Sequence, residues 1–243
     1  MRNEGVRLSV NINKVALIRN SRGGQLPDLV QVAKDCESFG ADGITIHPRP
    51  DQRHIRYEDI PALKEVVQTE LNIEGNPTQD FMRQVLEHQP HQCTLVPDAP
   101  DALTSNAGWD TIRHKDFLAD IIGELRKNGI RVSIFVDPDP KMVEGAAAAG
   151  AHRIEFYTGP YAYLFPKDPA LAIENHVVAS KLADELDIGI NAGHDLNLLN
   201  LRYYHQQIPS LLEVSIGHAL ICDALYYGLQ NAIGMYSYQL RPF

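Results

Sequence analysis

A unit that repeats along the chain constrains its fold more than any other feature. Each copy is a short apolar, β-branched run that ends in polar residues and is followed by a helical pattern. In the first copy, Leu8, Val10 and Ile12 alternate with polar residues. In a later copy, the run from Ile130 to Val136 ends at Asp137 before the next helical pattern. Strands that alternate with helices in this way pair in parallel, through right-handed crossovers.

The number of these units predicts a closed barrel. About eight of them fit into the 243 residues of the chain, and a TIM (β/α)8 barrel has ~250 residues. The alternative is an open doubly wound sheet, but such a sheet concentrates its site at one switch point, whereas polar residues here follow most strands. We therefore predict an α/β fold, a TIM barrel with extra helices, one of them at Gly159 to Pro166. No linker or composition shift divides the chain, so residues 1–243 are predicted to form one domain.

Local signals place several helices. Thr78 is predicted to cap one helix, and Asp139 and Pro140 supply the cap and first residue of another. Pro27 is expected in the first turn of the helix that follows the first strand. A single helix is predicted from Ala219 towards Tyr238. The segment at the end of the first strand is predicted to be a polar loop that contains Asn11, Asn13, Lys14, Arg19 and Arg22.

Charge and cysteine content narrow the class of function. A net charge of −9 and a pI near 5.5 argue against nucleic acid or an anionic membrane as partner, because both favour a basic face. Neither an apolar signal region nor an apolar run of membrane-spanning length is found, so a protein that is neither exported nor embedded is expected. Three cysteines without a close pair indicate neither a disulfide framework nor a zinc site, and favour a reducing, cytoplasmic setting.

Polar residues at the strand ends are predicted to converge, because the βα loops of a TIM barrel all open at one face. Each has a plain alternative, since a lone histidine is usually a surface residue and a strand carboxylate is often half of an ion pair. Two carboxylates in one water-poor mouth would instead have raised pKa values and exchange protons near neutral pH. His-x-His and His-Glu-x-x-His spacings are absent, which disfavours a metal. These strand-end residues are Asn11, His47, Arg49, Glu74, Thr104, Glu155, His194 and His218.

Two features predict anion sites. Asn191-Ala192-Gly193-His194 and Ser215-Ile216-Gly217-His218 repeat a small-residue turn at the seventh and eighth strand ends, where this fold most often binds phosphate. A second site is suggested by arginines in two βα loops, because guanidinium grips phosphate in a bidentate way. The residues thus predict an acid/base enzyme for small phosphorylated carbonyl compounds, although spacing alone does not name the reaction. The arginines are Arg19, Arg22, Arg49 and Arg53.

A set of stretches, in order along essentially the whole chain, carries a further signal. They are Val10-Asn11-Ile12-Asn13, Arg19-Asn20-Ser21-Arg22-Gly23, Gly43-Ile44-Thr45-Ile46-His47-Pro48-Arg49, Arg53-His54, Leu95-Val96-Pro97, Asn191-Ala192-Gly193-His194 and Ile216-Gly217-His218. Together they resemble the pyridoxine 5′-phosphate synthase family. The resemblance implies condensation of 1-deoxy-D-xylulose 5-phosphate with 3-amino-2-oxopropyl phosphate to pyridoxine 5′-phosphate, phosphate and water. It also implies a TIM barrel, no metal or organic cofactor, and assembly as a homo-octamer.

The resemblance assigns roles by motif match. It implies proton acceptors at His47 and Glu74, a proton donor at His194, and charge stabilisation by Glu155. It implies that the aminooxopropyl phosphate is held by Asn11, Arg22, Gly217 and His218, and the deoxyxylulose phosphate by Arg49, His54 and Thr104. Asp195 stands where the best-known members have glycine and is expected to contact substrate only through its backbone. Asn13 and Lys14 replace an Asp-His pair of those members and are left out of the predicted site. Arg53 receives no role from the chemistry or the resemblance and is interpreted as a solvated neighbour.

Two other functions stay open from the residues alone. One is a metal-free TIM-barrel sugar-phosphate isomerase or aldolase, but an aldolase needs a Schiff-base lysine at a strand end, and the pattern shows none. The other is a non-catalytic protein that binds a phosphorylated ligand. Such a protein would keep its function without His47, whereas an acid/base enzyme would lose turnover.

Overall fold

The computed structural model describes residues 5–98 and 105–242. Within these residues eight parallel strands form a closed barrel in chain order, and the last strand pairs with the first. The predicted TIM barrel is therefore confirmed. The strands are β1 (Arg7–Asn11), β2 (Gly43–Ile46), β3 (Leu71–Gly75), β4 (Gln92–Leu95), β5 (Arg131–Val136), β6 (Arg153–Tyr157), β7 (Gly189–Gly193) and β8 (Leu211–Ile216).

Helices follow the strands and enclose the barrel. The predicted caps are confirmed, since Thr78 accepts a hydrogen bond from the Phe81 amide at 3.3 Å and Asp139 accepts one from the Lys141 amide at 2.9 Å. None of the helices in the described part of the chain is long and apolar enough to cross a membrane. They are α1 (Asn13–Asn20), α2 (Leu29–Ser38), α3 (Asp59–Val66), α4 (Gln79–His88), α5 (Lys115–Lys127), α6 (Pro140–Ala148), α7 (Gly159–Leu164), α8 (Pro169–Glu185), α9 (Leu201–Gln207), α10 (His218–Tyr227) and α11 (Leu229–Gln239).

The segment after β1 is a helix, α1, so the prediction of a polar loop there is wrong. Val15, Ala16 and Arg19 form its buried side. Arg19 is only 2% exposed because its guanidinium pairs with Asp59 at 2.6 Å. A helical period is hard to find in the sequence when a buried position is filled by arginine.

Two helix ends also differ from the prediction. Pro27 precedes α2 rather than starting it, because the Asp28 side chain caps the helix and accepts from the amides of Val30 (3.0 Å) and Gln31 (3.1 Å). The final helix is interrupted at Gly228, whose φ of 78° and ψ of 151° no helix accommodates. Two helices, α10 and α11, therefore stand where one was predicted.

Side chains along the strands alternate between an apolar outer ring and a polar barrel interior. Ser9 of β1 and Thr45 of β2 share a hydrogen bond of 2.7 Å between their hydroxyls. Asn72 of β3 donates to Thr45 at 3.3 Å and accepts from Thr94 of β4 at 3.1 Å. The alternate residues of each strand face outward and are buried in the hydrophobic core, as Leu8 of β1, Ile44 of β2 and Ile73 of β3 show.

Ion pairs fill the barrel below this hydroxyl and amide layer. Arg7 pairs with Glu70 at 3.0 Å and Arg153 with Glu213 at 3.1 Å, and Arg131 also pairs with Glu70. Most of these residues lie at or just before the first position of a strand, so they are at the end of the barrel opposite the strand C-termini. The interior thus has a layer of ion pairs at the N-terminal end of the strands and a middle layer of hydroxyls and amides. At the C-terminal end is the rim, where the last inward-facing residues of the strands lie.

Two helical glycines provide a matched test of packing. A Cβ at Gly145 in α6 would lie 2.2 Å from Thr111 Oγ1 and 3.0 Å from the Thr111 backbone carbon, whereas a Cβ at Gly123 in α5 would meet nothing within 4 Å. We expect Gly145→Ala to lower the free energy of unfolding by about 1–3 kcal/mol. We expect Gly123→Ala to raise it by about 0.5–1 kcal/mol, since alanine is the better helix former. Urea denaturation measures both, and effects of the same sign would contradict this packing.

Candidate active site

Four ionisable side chains meet at the C-terminal rim of the barrel. His47 follows β2 directly, Glu74 and Glu155 lie in β3 and β6, and His194 follows β7. His47 Nδ1 is 3.7 Å from Glu74 Oε2, and His194 Nδ1 is 4.0 Å from Glu155 Oε1. The strand alternation places them here, because His47 and Glu74 come two residues after the inward-facing Thr45 and Asn72. The structure therefore brings the four residues with predicted acid/base roles into two imidazole–carboxyl pairs.

Burial keeps protons on both carboxyl groups. It raises the pKa of Glu74 to about 8, with the negative charge of Asp98 as a second cause. Burial and the Glu74 charge together raise the pKa of Glu155 well above its ordinary value. Glu155 is 1% exposed and neither of its oxygens has a hydrogen-bond partner among the described residues. Burial therefore favours the neutral acid form of Glu155, while Glu74, with a pKa of about 8, exchanges its proton near neutral pH.

Three histidines of the rim, His47, His54 and His194, favour the neutral form at pH 7. Burial, followed by the charge of Arg49, lowers the pKa of His47 well below its ordinary value and that of His54 to about 4. Burial also lowers the pKa of His194, while the neighbouring Asp195 acts in the opposite direction. A neutral imidazole has a lone pair available, so His47 is able to accept a proton.

Arg49 and His54 stand beside His47 on the β2 loop. The Arg49 guanidinium donates to Asp98 Oδ2 at 2.5 Å, and both side chains are buried. The His54 ring packs edge-on to the His47 ring at 6.1 Å between centroids. Its Nδ1 accepts from the Ile55 amide at 3.0 Å. The loop is thus fixed by its own contacts, with one buried guanidinium next to the acid/base pairs.

The other arginines of the predicted anion site do not join this cluster. Arg19 is committed to Asp59 and also donates to the His54 carbonyl oxygen at 3.1 Å. Arg53 pairs with Asp51 at 2.8 Å on the surface. Arg22 lies exposed beyond the end of α1. Among the described residues, Arg49 is the one of the four that is buried beside the ionisable pairs, so the four arginines do not form one cluster.

The turns after β7 and β8 bring backbone close to the rim. A Cβ at Gly193 would lie 2.4 Å from Glu155 Oε1, and one at Gly217 would lie 3.0 Å from the Cβ of Asn11. A side chain at position 193 would therefore displace the Glu155 carboxyl group, and one at position 217 would press against Asn11. Gly217 also precedes the first residue of α10, so the helix N-terminus points its free amides towards this part of the rim.

The remaining predicted residues lie around these turns. Asn11 ends β1 and its Oδ1 accepts from the Asn13 amide at 3.0 Å. His218 is the exposed first residue of α10, and Asp195 is exposed while its backbone amide donates to Thr158 Oγ1 at 3.2 Å. Thr104 lies outside the described residues.

Two residues at the rim, Asp98 and Phe135, escaped the sequence interpretation, and a third, Asn13, was considered and left out of the predicted site. Asp98 holds Arg49, and the Asn13 side chain accepts from the His47 amide at 2.9 Å. Phe135 of β5 packs its ring 4.8 Å from that of His194. Each follows or occupies a strand C-terminus, which is the same signal that identified the others. Asp98 was hidden by the two residues between it and β4, and Phe135 by its place inside an apolar run.

Solved structures of other proteins share this fold. One is phosphoribosyl anthranilate isomerase from Thermotoga maritima, which matches with a TM-score of 0.61 and 12% identity. The match covers 97% of this chain and 98% of the isomerase. At such low identity the likeness concerns the barrel alone.

Curated relatives are much closer in sequence. The proteins named pyridoxine 5′-phosphate synthase in Cytophaga hutchinsonii and Bacteroides fragilis are 62% and 59% identical to this chain. Each match spans 97% of this chain and 99% of the relative. The profile of the family described as "Pyridoxal phosphate biosynthesis protein PdxJ" matches residues 8–241. With identity this high over nearly the full length, the chain belongs to the PdxJ family of pyridoxal phosphate biosynthesis proteins.

Proposed function

We propose that this protein condenses 1-deoxy-D-xylulose 5-phosphate with 3-amino-2-oxopropyl phosphate to give pyridoxine 5′-phosphate, inorganic phosphate and water. The observation that carries the proposal is the pair of imidazole–carboxyl couples at the rim, His47 with Glu74 and His194 with Glu155, in which both carboxyl groups are buried. The names of the 62% and 59% identical relatives support the same reaction.

The reaction needs several proton transfers at one place. Imine formation, loss of water and aromatisation each move a proton, and each transfer is faster when a positioned group accepts or donates it. We assign proton-acceptor roles to His47 and Glu74. The imidazole of His47 is neutral at pH 7, and Glu74 has a pKa of about 8, so part of it is ionised near neutral pH. Glu155, a neutral acid beside His194, stabilises charge that develops in the transition state.

His194 is assigned the donor role, which requires it to be protonated. Burial lowers its pKa, but the negative charges of Asp195 and Asp98 raise it. A bound phosphate adds further negative charge at the rim and raises the pKa of His194 again. A substrate phosphate close to His194 would therefore favour the protonated, donating form of this imidazole.

Two phosphate anchors complete the proposal. The α10 N-terminus at Gly217 and His218, with Asn11 and Arg22, is assigned to the aminooxopropyl phosphate, since helix N-termini attract anions. Arg49, His54 and Thr104 are assigned to the deoxyxylulose phosphate, and Asp195 contributes its backbone. We further propose that the enzyme works in the cytoplasm as a homo-octamer and uses no metal or organic cofactor.

The test is turnover by the purified protein. With both substrates present, pyridoxine 5′-phosphate and inorganic phosphate are expected in equal amounts, and neither substrate alone yields product. Absence of product from folded protein would refute the proposed function. Isomerisation of the sugar phosphate alone, or a mass increase after borohydride treatment with one substrate, would instead favour the isomerase or aldolase. Binding of both substrates without turnover would favour a binding protein.

A further inference from the structure

Asp98 is a buried carboxylate at which three loops of the rim meet. It lies beyond β4, and its side chain is 6% exposed. Its Oδ2 atom accepts from the Arg49 guanidinium at 2.5 Å and from the Ser105 hydroxyl at 2.5 Å. Its backbone oxygen accepts from Asn76 Nδ2 at 2.9 Å. Contacts from the β2, β3 and β4 loops therefore meet at this one residue.

Burial makes the Arg49–Asp98 pair more restrictive than an ion pair on the surface. A charge taken out of water is costly unless it is paired and hydrogen-bonded. Arg49 and Asp98 are both almost fully buried, so each needs the other at the rim. The Ser105 hydroxyl donates to the same oxygen and limits the directions that the carboxylate can take. The Arg49 guanidinium is therefore held in one orientation before substrate arrives.

We propose that Asp98 is a positioning residue that orients Arg49 for the phosphate of the sugar substrate. The inference rests on the proposed function, which assigns Arg49 to that phosphate. Asp98 does not touch the reacting atoms in this proposal and acts through the guanidinium. Because a pre-oriented fork loses less freedom when it binds phosphate, the carboxylate lowers the KM for the sugar phosphate and leaves the other substrate unaffected.

The same carboxylate also adds negative charge near Glu74. The charged and titratable groups around Glu74 include His47 and Arg49 from the β2 loop, Cys93 from β4, Asp98 from the β4 loop, and Glu155 from β6. Of these, Asp98 raises the pKa of Glu74 and Arg49 lowers it. Loss of the Asp98 charge therefore shifts ionisation of Glu74, and any step that needs its carboxylate, to lower pH.

The experiment is a double-mutant cycle between Asp98→Asn and Arg49→Lys, with Asp137→Asn as a matched control. Asp137 follows the next strand, β5, is half-buried and accepts from the Gly108 amide at 3.3 Å. We expect D98N to raise the KM for 1-deoxy-D-xylulose 5-phosphate about tenfold, because a charge-assisted bond becomes a neutral one. The KM for 3-amino-2-oxopropyl phosphate and the behaviour of D137N stay close to wild type.

The cycle separates positioning from a merely structural role. If Asp98 acts through Arg49, adding D98N to the R49K enzyme raises the KM by less than about twofold. Additive effects, or a D98N enzyme that loses turnover and melting temperature with both KM values unchanged, would overturn the proposal. Asp98→Glu keeps the charge, and we expect it to retain the wild-type pH profile, whereas the acidic limb of D98N shifts to lower pH.

Two further measurements keep the outcome decisive. If D98N does not fold, Ser105→Ala removes one contact to the same oxygen and is expected to raise only the sugar-phosphate KM, by about twofold to fivefold. An unchanged KM in S105A would then reject the proposal. Binding of 1-deoxy-D-xylulose 5-phosphate to wild type and variants by calorimetry is independent of turnover. A wild-type enzyme without product refutes the proposed function, whereas equal sugar-phosphate affinity in wild type and D98N refutes only the role of Asp98.

Discussion

Replacing His47 with asparagine is expected to reduce kcat by about 10²–10⁴-fold, the range that a positioned general base contributes. His47 is buried, neutral at pH 7 and 3.7 Å from the Glu74 carboxyl, so it can accept a proton and share it with a partner. Asparagine keeps a polar group of similar size but accepts no proton at this pH. Steady-state turnover with both substrates measures the effect.

The fold is expected to survive this change. The backbone amide of His47 is held by Asn13, and that bond does not depend on the imidazole. Melting temperatures of His47→Asn and wild type should therefore agree within a few degrees. His88→Asn, at the end of α4 and away from the rim, is the control and should keep full turnover. Turnover of His47→Asn within threefold of wild type would show that His47 is not the base.

The second large effect is expected for Glu74→Gln, through its pH dependence. Glu74 accepts a proton only as a carboxylate, and its pKa of about 8 leaves about one tenth of it ionised at pH 7. The wild-type kcat/KM should therefore rise with pH and level off above pH 8. Glutamine cannot ionise, so kcat/KM of the variant should no longer rise with pH. Its value above pH 8 should be about 10²–10⁴-fold lower than that of the wild type.

Rates between pH 6 and pH 9.5 provide the measurement. His47 does not change its protonation state in this pH range, because burial lowers its pKa well below the ordinary value. Glu58→Gln serves as the control, since the Glu58 side chain is 73% exposed on the surface and should keep the wild-type profile. A Glu74→Gln enzyme with the same rising limb would assign that limb to another group.

The strand ends were the part of the site that the sequence predicted best. An apolar run that changes abruptly to polar residues requires no tertiary information, and the barrel then fixes which residues share a face. His47, Glu74, Glu155 and His194 were identified in this way and lie together at the rim. Their catalytic roles stay predictions until the variants are measured.

The failures have a common physical cause, which is pairing between residues distant in the chain. Arg19 is identical in the sequence to a phosphate-binding arginine, and only the fold shows that Asp59, 40 positions later, has already engaged it. Asp98 gave no signal of its own because its importance comes from Arg49. The role of a charged residue depends on the residue it pairs with, and a local sequence pattern does not reveal partners that are distant in the chain.

The polar layers inside the barrel have a consequence for redesign of this protein. The aliphatic side chains that hold the strands to the helices form a ring around the barrel, while the hydroxyl, amide and ion-pair layers fill its axis. Burial of apolar surface, the main source of folding free energy, is thus concentrated in the outer ring. New catalytic groups can therefore be introduced along the axis without rebuilding the shell on which folding depends. Chemistry and apolar packing occupy separate concentric zones of the molecule, and a redesign along the axis has to replace each buried charge together with its partner.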